Sequence, residues 1–234
     1  MQAVILAGGK GTRLKPYTTI LPKPLVPVGE YPILEIVIRQ LKSCGIKDIV
    51  ISIGYLPQLI ESYFRDGKSY GVKIRYVHEK KPLGTAGAMR IVDGLKENFL
   101  LINGDILTTL NYKKLFSYHL DKRAIATISI MKKSIRDDYG VVITNKELEL
   151  IDYLEKPTHF YHVSMGINLL NKRCVKYIKK GEYLGMPELL LRMKENKEKV
   201  CCYNSKDFWL DIGRKEDFIK AQDEFEKNSK RFVK

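Results

Sequence analysis

The 234-residue chain contains no apolar run long enough to cross a bilayer, no internal repeat, no low-complexity stretch and no composition break that would mark a linker. Its N-terminal apolar stretch is short, follows no basic region and runs straight into glycines, which does not fit a secretory signal, so a cytoplasmic protein without a membrane partner is expected. Cysteine is scarce. Cys44, Cys174, Cys201 and Cys202 show no C-x-x-C and no Cys/His spacing for a metal, and adjacent Cys201 and Cys202 would alternate across a strand, so all four read as buried or idle thiols. Acidic residues are in deficit: 27 Asp+Glu face 41 Lys+Arg, for a formal net charge of +14. That charge would suit nucleic acid. The lysines are scattered over helical stretches, however, as at Lys176, Lys179 and Lys180 or Lys194, Lys197 and Lys199, and no DNA- or RNA-binding motif accompanies them. A solvated basic surface that attracts triphosphate fits better, and no nucleic-acid partner is expected.

What is present suits one α/β domain, large enough to bury a sizeable core at 44% hydrophobic content. Strands are expected near 2–7, 48–53, 73–77, 99–103, 124–131 and 162–170, with helices at 32–44, 57–65, 85–96, 112–121, 187–195 and 215–227. The alternation predicts a Rossmann-like, mainly parallel sheet with helices on both faces and ligands over the carboxyl ends of its strands. Residues 137–160 read as a small sub-sheet or lid over one side of that site, and residues 228–234 as a frayed basic tail.

The opening segment says most about chemistry. The run Ala3-Val4-Ile5-Leu6-Ala7 breaks into Gly8-Gly9-Lys10-Gly11-Thr12-Arg13-Leu14, with Leu21-Pro22-Lys23-Pro24-Leu25 beyond. Glycines without a Cβ let backbone N–H groups approach a phosphate, and Arg13 and Lys23 add two permanent cations. Two better-known phosphate loops are excluded: there is no G-x-x-x-x-G-K-[ST] run, and Leu14 stands where the dinucleotide fingerprint has its third glycine.

The motif resembles that of the nucleotidyltransferases that make nucleotide sugars, which reads roughly G-G-x-G-T-R-L with a P-K-P further on. Gly8, Gly9, Gly11, Thr12, Arg13, Leu14, Pro22, Lys23 and Pro24 match it, and the resemblance covers residues 1–227, implying a nucleotidyltransferase domain of that extent. It implies transfer of a nucleoside monophosphate from an NTP to a sugar 1-phosphate, with Leu6, the loop glycines and Thr12 at the nucleotide and with Arg13 and Lys23 as catalytic cations on the triphosphate. A homo-oligomer is left open.

Five further clusters concur. Leu100 to Asn103 is an apolar stretch ending in Gly104-Asp105. Mg²⁺ is commonly held by one or two carboxylates with phosphate oxygens and water, although a strand-end Asp also caps helices. In the family a W-x-D-I-G aspartate completes the Mg²⁺ site, and Trp209-Leu210-Asp211-Ile212-Gly213 matches it, which assigns Asp105 and Asp211 to the metal. Pro82-Leu83-Gly84-Thr85-Ala86-Gly87 would bring backbone at Gly84 and Gly87 to base and ribose, while Thr85 equally suits a helix cap. This wording looks most like guanylyltransferases, so GTP leads, with Glu79 as an acceptor for guanine N1–H and N2–H₂ or else an exposed loop carboxylate. Glu155-Lys156-Pro157 resembles the family's E-K-P, which places Glu on sugar hydroxyls and Lys on the sugar phosphate, and Tyr139-Gly140-Val141 its Y-G-V, whose glycine faces the sugar.

One segment departs from the pattern. Ser164-Met165-Gly166-Ile167-Asn168 stands where the family shows N-x-G-I-Y: Gly166 is kept, Ser164 is shorter than Asn, and Asn168 replaces an aromatic ring. The pocket is therefore expected to be roomier and more polar, suited to a heptose or amino sugar. A non-catalytic nucleotide-sugar-binding relative is the alternative, and the intact Arg13, Lys23, Asp105 and Asp211 speak against it.

Overall fold

The computed structural model describes residues 1–233. β1 (Gln2–Ala7) leads into a loop of short 3-10 turns and a minimal hairpin, β2 (Pro27–Val28) with β3 (Tyr31–Pro32). Then come α1 (Ile33–Ser43), β4 (Asp48–Ile53), α2 (Pro57–Phe64), β5 (Lys73–His78), α3 (Gly84–Gly87), β6 (Asn98–Asn103), β7 (Ile106–Thr108), α4 (Tyr112–Lys122) and β8 (Ala126–Arg136). A hairpin of β9 (Val141–Thr144) and β10 (Leu150–Leu154) precedes β11 (Thr158–Asn171), and α5 (Met186–Glu195), β12 (Val200–Asn204), β13 (Trp209–Asp211) and α6 (Lys215–Phe232) follow.

Seven strands form the central sheet in the order β12-β8-β11-β6-β1-β4-β5. Neighbours are parallel except at β11, which runs antiparallel to both β6 and β8. Strands such as β1 are apolar on successive residues because both faces are covered. On one face Ile5, Ile51 and Ile102 pack against Leu34 and Ile38 of α1, Phe64 of α2 and Leu115 of α4. On the other, Val4, Val50 and Leu101 meet Met89, Leu189 and Met193. A third cluster seats Phe225 of α6 against Leu14, Val26 and Ile212, which anchors the N-terminal loop. The mainly parallel α/β fold with helices on both faces is as the sequence predicts, and so is the stop of α1. Gly45, at φ 81°, donates to the Lys42 carbonyl at 2.8 Å while Ile46 donates to that of Leu41 at 2.9 Å, the paired bonds of a Schellman ending.

Three elements differ from expectation. The helix predicted over 85–96 is only the single turn α3 and a 3-10 turn to Ile91, because β-branched Val92 goes extended and Gly94 turns the chain at φ 68°. Thr85 does not cap α3; its Oγ1 accepts from the Met186 N–H at 2.8 Å. α6 continues beyond residue 227, through a kink at Asn228, because Phe232 is buried in the third cluster; of the expected frayed tail, Lys234 lies outside the described residues. β8 and β11 also run past the sheet as a paired arm that carries the β9–β10 sub-sheet. No helix among the described residues is long and apolar enough to cross a membrane.

Candidate active site

The carboxyl ends of β1, β4, β5 and β6, adjacent and parallel, open into a cavity of about 650 Å³, where ligands of open α/β sheets are expected. Leu6, Gly8, Gly9, Glu79, Gly84, Thr85 and Asp105 of the predicted set line it. The two Gly-rich strand ends meet: the Tyr55 N–H donates to the Gly8 carbonyl at 3.3 Å, and a Cβ on Gly54 would stand 3.0 Å from that oxygen. Glu79 is no free loop carboxylate. Its Oε1 accepts from the Ser52 hydroxyl at 2.7 Å and its Oε2 from the Leu83 N–H at 3.2 Å, which fixes the carboxylate in the cavity wall.

The far wall is built by a distant segment. The N–H groups of Ala86 and Gly87 donate to the Leu184 carbonyl at 2.9 and 3.1 Å, and Leu184 donates back to Leu83 at 2.9 Å. This brings Tyr183 and Gly185 into the cavity. Gly84, at φ 76°, has the Leu184 carbonyl where a Cβ would be, so any other residue would both strain the backbone and push this wall away. Gly87 faces the same backbone, 2.7 Å from the Glu182 oxygen by its ideal Cβ, and does not line the cavity.

In the loop predicted to bind phosphate, Gly11 turns the chain at φ 61° and Thr12–Leu14 form a 3-10 turn whose Leu14 is buried, holding Arg13 beside Gly213; Gly11, Thr12, Arg13 and Lys23 do not line the cavity. Lys23 is buried and ion-paired with Asp105 Oδ2. β13 pairs with β7 so that Asp211 stands opposite Ile106, and the Ile212 N–H donates to the Asp105 carbonyl at 3.0 Å. The two carboxylates thus arrive from segments more than a hundred residues apart. Oδ1 of each is buried without a hydrogen-bond partner among the described residues. Burial raises the Asp211 pKa, the Asp105 charge raises it further, and Lys23 and Arg13 offset this only in part. A pair of buried oxygens left open, with charge in need of a counterion, fits a divalent cation. No group of three or more His, Cys, Asp or Glu side chains poised for a metal occurs among the described residues, so the other ligands would be phosphate oxygens and water.

The residues predicted from sequence to bind the sugar phosphate are less assembled. Gly166, at φ 67°, backs onto Asn103, a cavity residue whose Nδ2 would lie 2.7 Å from its Cβ. Ser164 is exposed, its Oγ accepting from the Gly166 N–H at 3.4 Å, and Asn168 is buried with Oδ1 unpartnered among the described residues. Gly140 lies against the Tyr153 hydroxyl on the arm, where Glu155 and Lys156 are exposed; none of the three lines the cavity. Lys133, not singled out from sequence, places Nζ 5.6 Å from the Trp209 ring centroid, and Trp209 Nε1 donates to the Met165 carbonyl at 2.8 Å. Lys10, Tyr55, Lys80, Lys81 and Tyr183 also line the cavity without having been predicted. Lys10 and Lys80–Lys81 were readable as cations inside or beside the glycine motifs, whereas Tyr183 carries no local signal.

The fold and this site define a class, and the comparisons agree. Residues 2–228 match the nucleotidyl transferase family, and the chain belongs to it. It is 31% identical to a D-glycero-alpha-D-manno-heptose 1-phosphate guanylyltransferase of Aneurinibacillus thermoaerophilus over 97% of this chain and 99% of that one. It is also 31% identical to a mannose-1-phosphate guanylyltransferase of Mycobacterium tuberculosis, over 94% of this chain but only 63% of the relative's length. Among solved structures, HddC from Yersinia pseudotuberculosis in complex with GMP-PN superposes with a TM-score of 0.73 at 27% identity, covering 96% of this chain and 99% of the other.

Proposed function

We propose that the protein is a Mg²⁺-dependent sugar-1-phosphate nucleotidyltransferase that uses GTP. The observation that carries this reading is the pair of buried, unpartnered oxygens on Asp105 and Asp211 beside Lys23 and Arg13, at the edge of a nucleotide-sized cavity. A sugar phosphate oxygen attacks the α-phosphorus of the triphosphate in line; the new O–P bond forms as the bond to pyrophosphate breaks, and no covalent enzyme intermediate is required. Both reactants are anions. Two like charges 4 Å apart repel by about 1 kcal/mol in water and about 4 kcal/mol at an effective dielectric of 20, so fixed cations are the main demand on the site. Arg13 and Lys23 hold the triphosphate and the departing pyrophosphate, and Lys156 the sugar phosphate. Mg²⁺ held by Asp105 and Asp211 would neutralise charge developing on the phosphoryl oxygens.

Guanine is favoured because Glu79, clamped by Ser52 and Leu83, offers fixed acceptor oxygens to a base edge with adjacent donors. The two relatives named above, both guanylyltransferases, support the same base, although a UTP--glucose-1-phosphate uridylyltransferase of Synechocystis is equally similar at 31% identity. For the sugar, Ser164 and Asn168 do not line the cavity, and the support comes from the relative of matching length, which is named for a heptose 1-phosphate, so a heptose 1-phosphate leads over mannose or glucose. The reaction would run in the cytoplasm, with no nucleic acid or membrane as partner. Pyrophosphate release, screened with five nucleoside triphosphates against mannose, glucose, heptose and glucosamine 1-phosphates, tests it. GTP with heptose 1-phosphate should give the highest kcat/KM, and no release from any pair would overturn the proposal.

A further inference from the structure

Tyr183 lines the cavity, belongs to none of the motifs and is 72% exposed, yet the residues on either side of it are fixed. Glu182 is held through its side chain. Arg192 of α5 donates to both of its carboxylate oxygens, at 2.9 and 3.1 Å, and the Lys179 N–H donates to Oε2 at 2.9 Å. The Arg192 bonds bring the Glu182 carboxyl down to about 2, so this anchor is charged throughout the neutral range. Leu184 is held through its backbone, which donates to the Leu83 carbonyl and accepts from Ala86 and Gly87. Just beyond, Met186 donates to Thr85 Oγ1. A ring exposed between two pinned neighbours has its backbone ordered in advance, and that lowers the cost of making it a contact residue.

What the ring meets follows from Leu83. Its N–H donates to Glu79 and its carbonyl accepts from Leu184, so the carboxylate assigned to the base edge and Tyr183 belong to one hydrogen-bonded wall. Tyr55, the other tyrosine of the cavity, is tied by its hydroxyl to the Thr19 carbonyl at 3.1 Å, on the N-terminal loop. A base whose edge is bonded to Glu79 still has two π faces to remove from water, and an aromatic ring covers such a face where a hydrogen bond cannot. Given the nucleotidyl transfer proposed above, on which this rests, we infer that Tyr183 stacks on the nucleobase of the bound triphosphate. Every base has a π face, so the contact adds affinity without choosing among bases; the choice falls to Glu79.

Calorimetric titration of GTP and of ITP, which has the same ring system without the 2-amino group, into the full-chain parent, Tyr183→Ala and Tyr183→Phe tests this, together with KM for the sugar 1-phosphate. The side chain is exposed, so both variants should melt as the parent does. Tyr183→Ala should raise the Kd of both nucleotides by about tenfold or more, the scale of one base–aromatic stack, and leave the sugar KM unchanged. Tyr183→Phe keeps the ring and should bind nearly as the parent. A parental GTP Kd in Tyr183→Ala overturns the stacking. So does a loss confined to GTP, or a Tyr183→Phe as weak as Tyr183→Ala, which would make the hydroxyl the contact. A rise confined to the sugar KM would put the ring under the sugar and overturn it equally. Should Tyr183→Ala fail to fold, Tyr183→Leu, which keeps apolar bulk without a ring, is held to the same outcomes. A parent that binds no triphosphate overturns the proposed function itself, whereas the other failures leave that function standing.

Discussion

Asp105 and Asp211 lie more than a hundred residues apart in sequence, yet the pairing of β7 with β13 presents their carboxylates together, each with one buried oxygen that nothing among the described residues donates to. A metal-free fold holds this arrangement at a cost. Because the folded-state pKa of Asp211 is raised, its ionised form is disfavoured by folding, and the penalty sets in as pH climbs through the unfolded value toward the folded one.

Asp211→Asn should therefore raise the melting temperature in EDTA at neutral pH while lowering kcat by about a hundredfold or more, the scale of losing one transition-state stabiliser. Differential scanning calorimetry with and without Mg²⁺ checks it. The parent should be stabilised by Mg²⁺ and the variant should not. A variant with parental activity at limiting Mg²⁺ would remove Asp211 from the metal site.

The base reading rests on geometry that can be loosened one bond at a time. Ser52→Ala leaves Glu79 with only the Leu83 N–H and frees the carboxylate to rotate, so kcat/KM for GTP should fall by about tenfold, the value of one hydrogen bond to a charged group. Glu79→Gln replaces an acceptor pair by one acceptor and one donor, and should narrow the preference for GTP over other triphosphates. Equal losses for every nucleotide in both variants would make Glu79 a structural residue only.

His119 offers a test of the fold that is independent of function. It is buried, with Nδ1 2.8 Å from Thr127 Oγ1 and Nε2 3.1 Å from Asn98 Oδ1, and burial lowers its pKa to about 4. A depressed folded-state pKa means the contribution is complete above the unfolded value near 6.5 and disappears as pH falls to about 4, a loss on the order of 3 kcal/mol. Urea midpoints at pH 7.5 and 4.5 should separate widely for the parent and much less for His119→Gln. Parallel pH dependence in the two proteins would contradict this.

The sequence exposed the parts of the site that are local. The turn from Gly8 to Leu14 and the strand-end Gly104-Asp105 are each written in neighbouring residues, because the backbone conformation and the chemistry fall within one loop. The alternation of strand and helix patterns along the chain revealed a mainly parallel sheet covered on both faces. What required the fold was long-range. Gly87 looks like a ligand glycine until the Glu182–Leu184 backbone is seen against it, and Tyr183 enters the cavity only through that contact. The end of α6 was misread because Phe232 is held by partners distant in sequence, such as Leu14 and Val26, which outweigh a basic, tail-like composition.

The sugar end separates two candidate cations. Lys156 belongs to the matching E-K-P but is exposed on the arm at φ 45°, outside the cavity, whereas Lys133 lies over Trp209, two residues before Asp211 and bonded to the Met165 carbonyl next to Gly166. If Lys156 takes the sugar phosphate, the arm must bring it there, so Lys156→Ala should raise KM for the sugar 1-phosphate by about tenfold or more and leave the Kd for nucleotide nearly unchanged. Lys133→Ala should then act mainly through the Trp209 contact, with a smaller rise in the same KM, since an exposed cation–π contact is worth about 0.5–1 kcal/mol. Steady-state kinetics with each substrate varied, and calorimetric titration of nucleotide into both variants, resolve the two. The reverse order, with Lys133→Ala the more severe and Lys156→Ala near parental, would assign the sugar phosphate to the lysine that the fold already holds at Trp209.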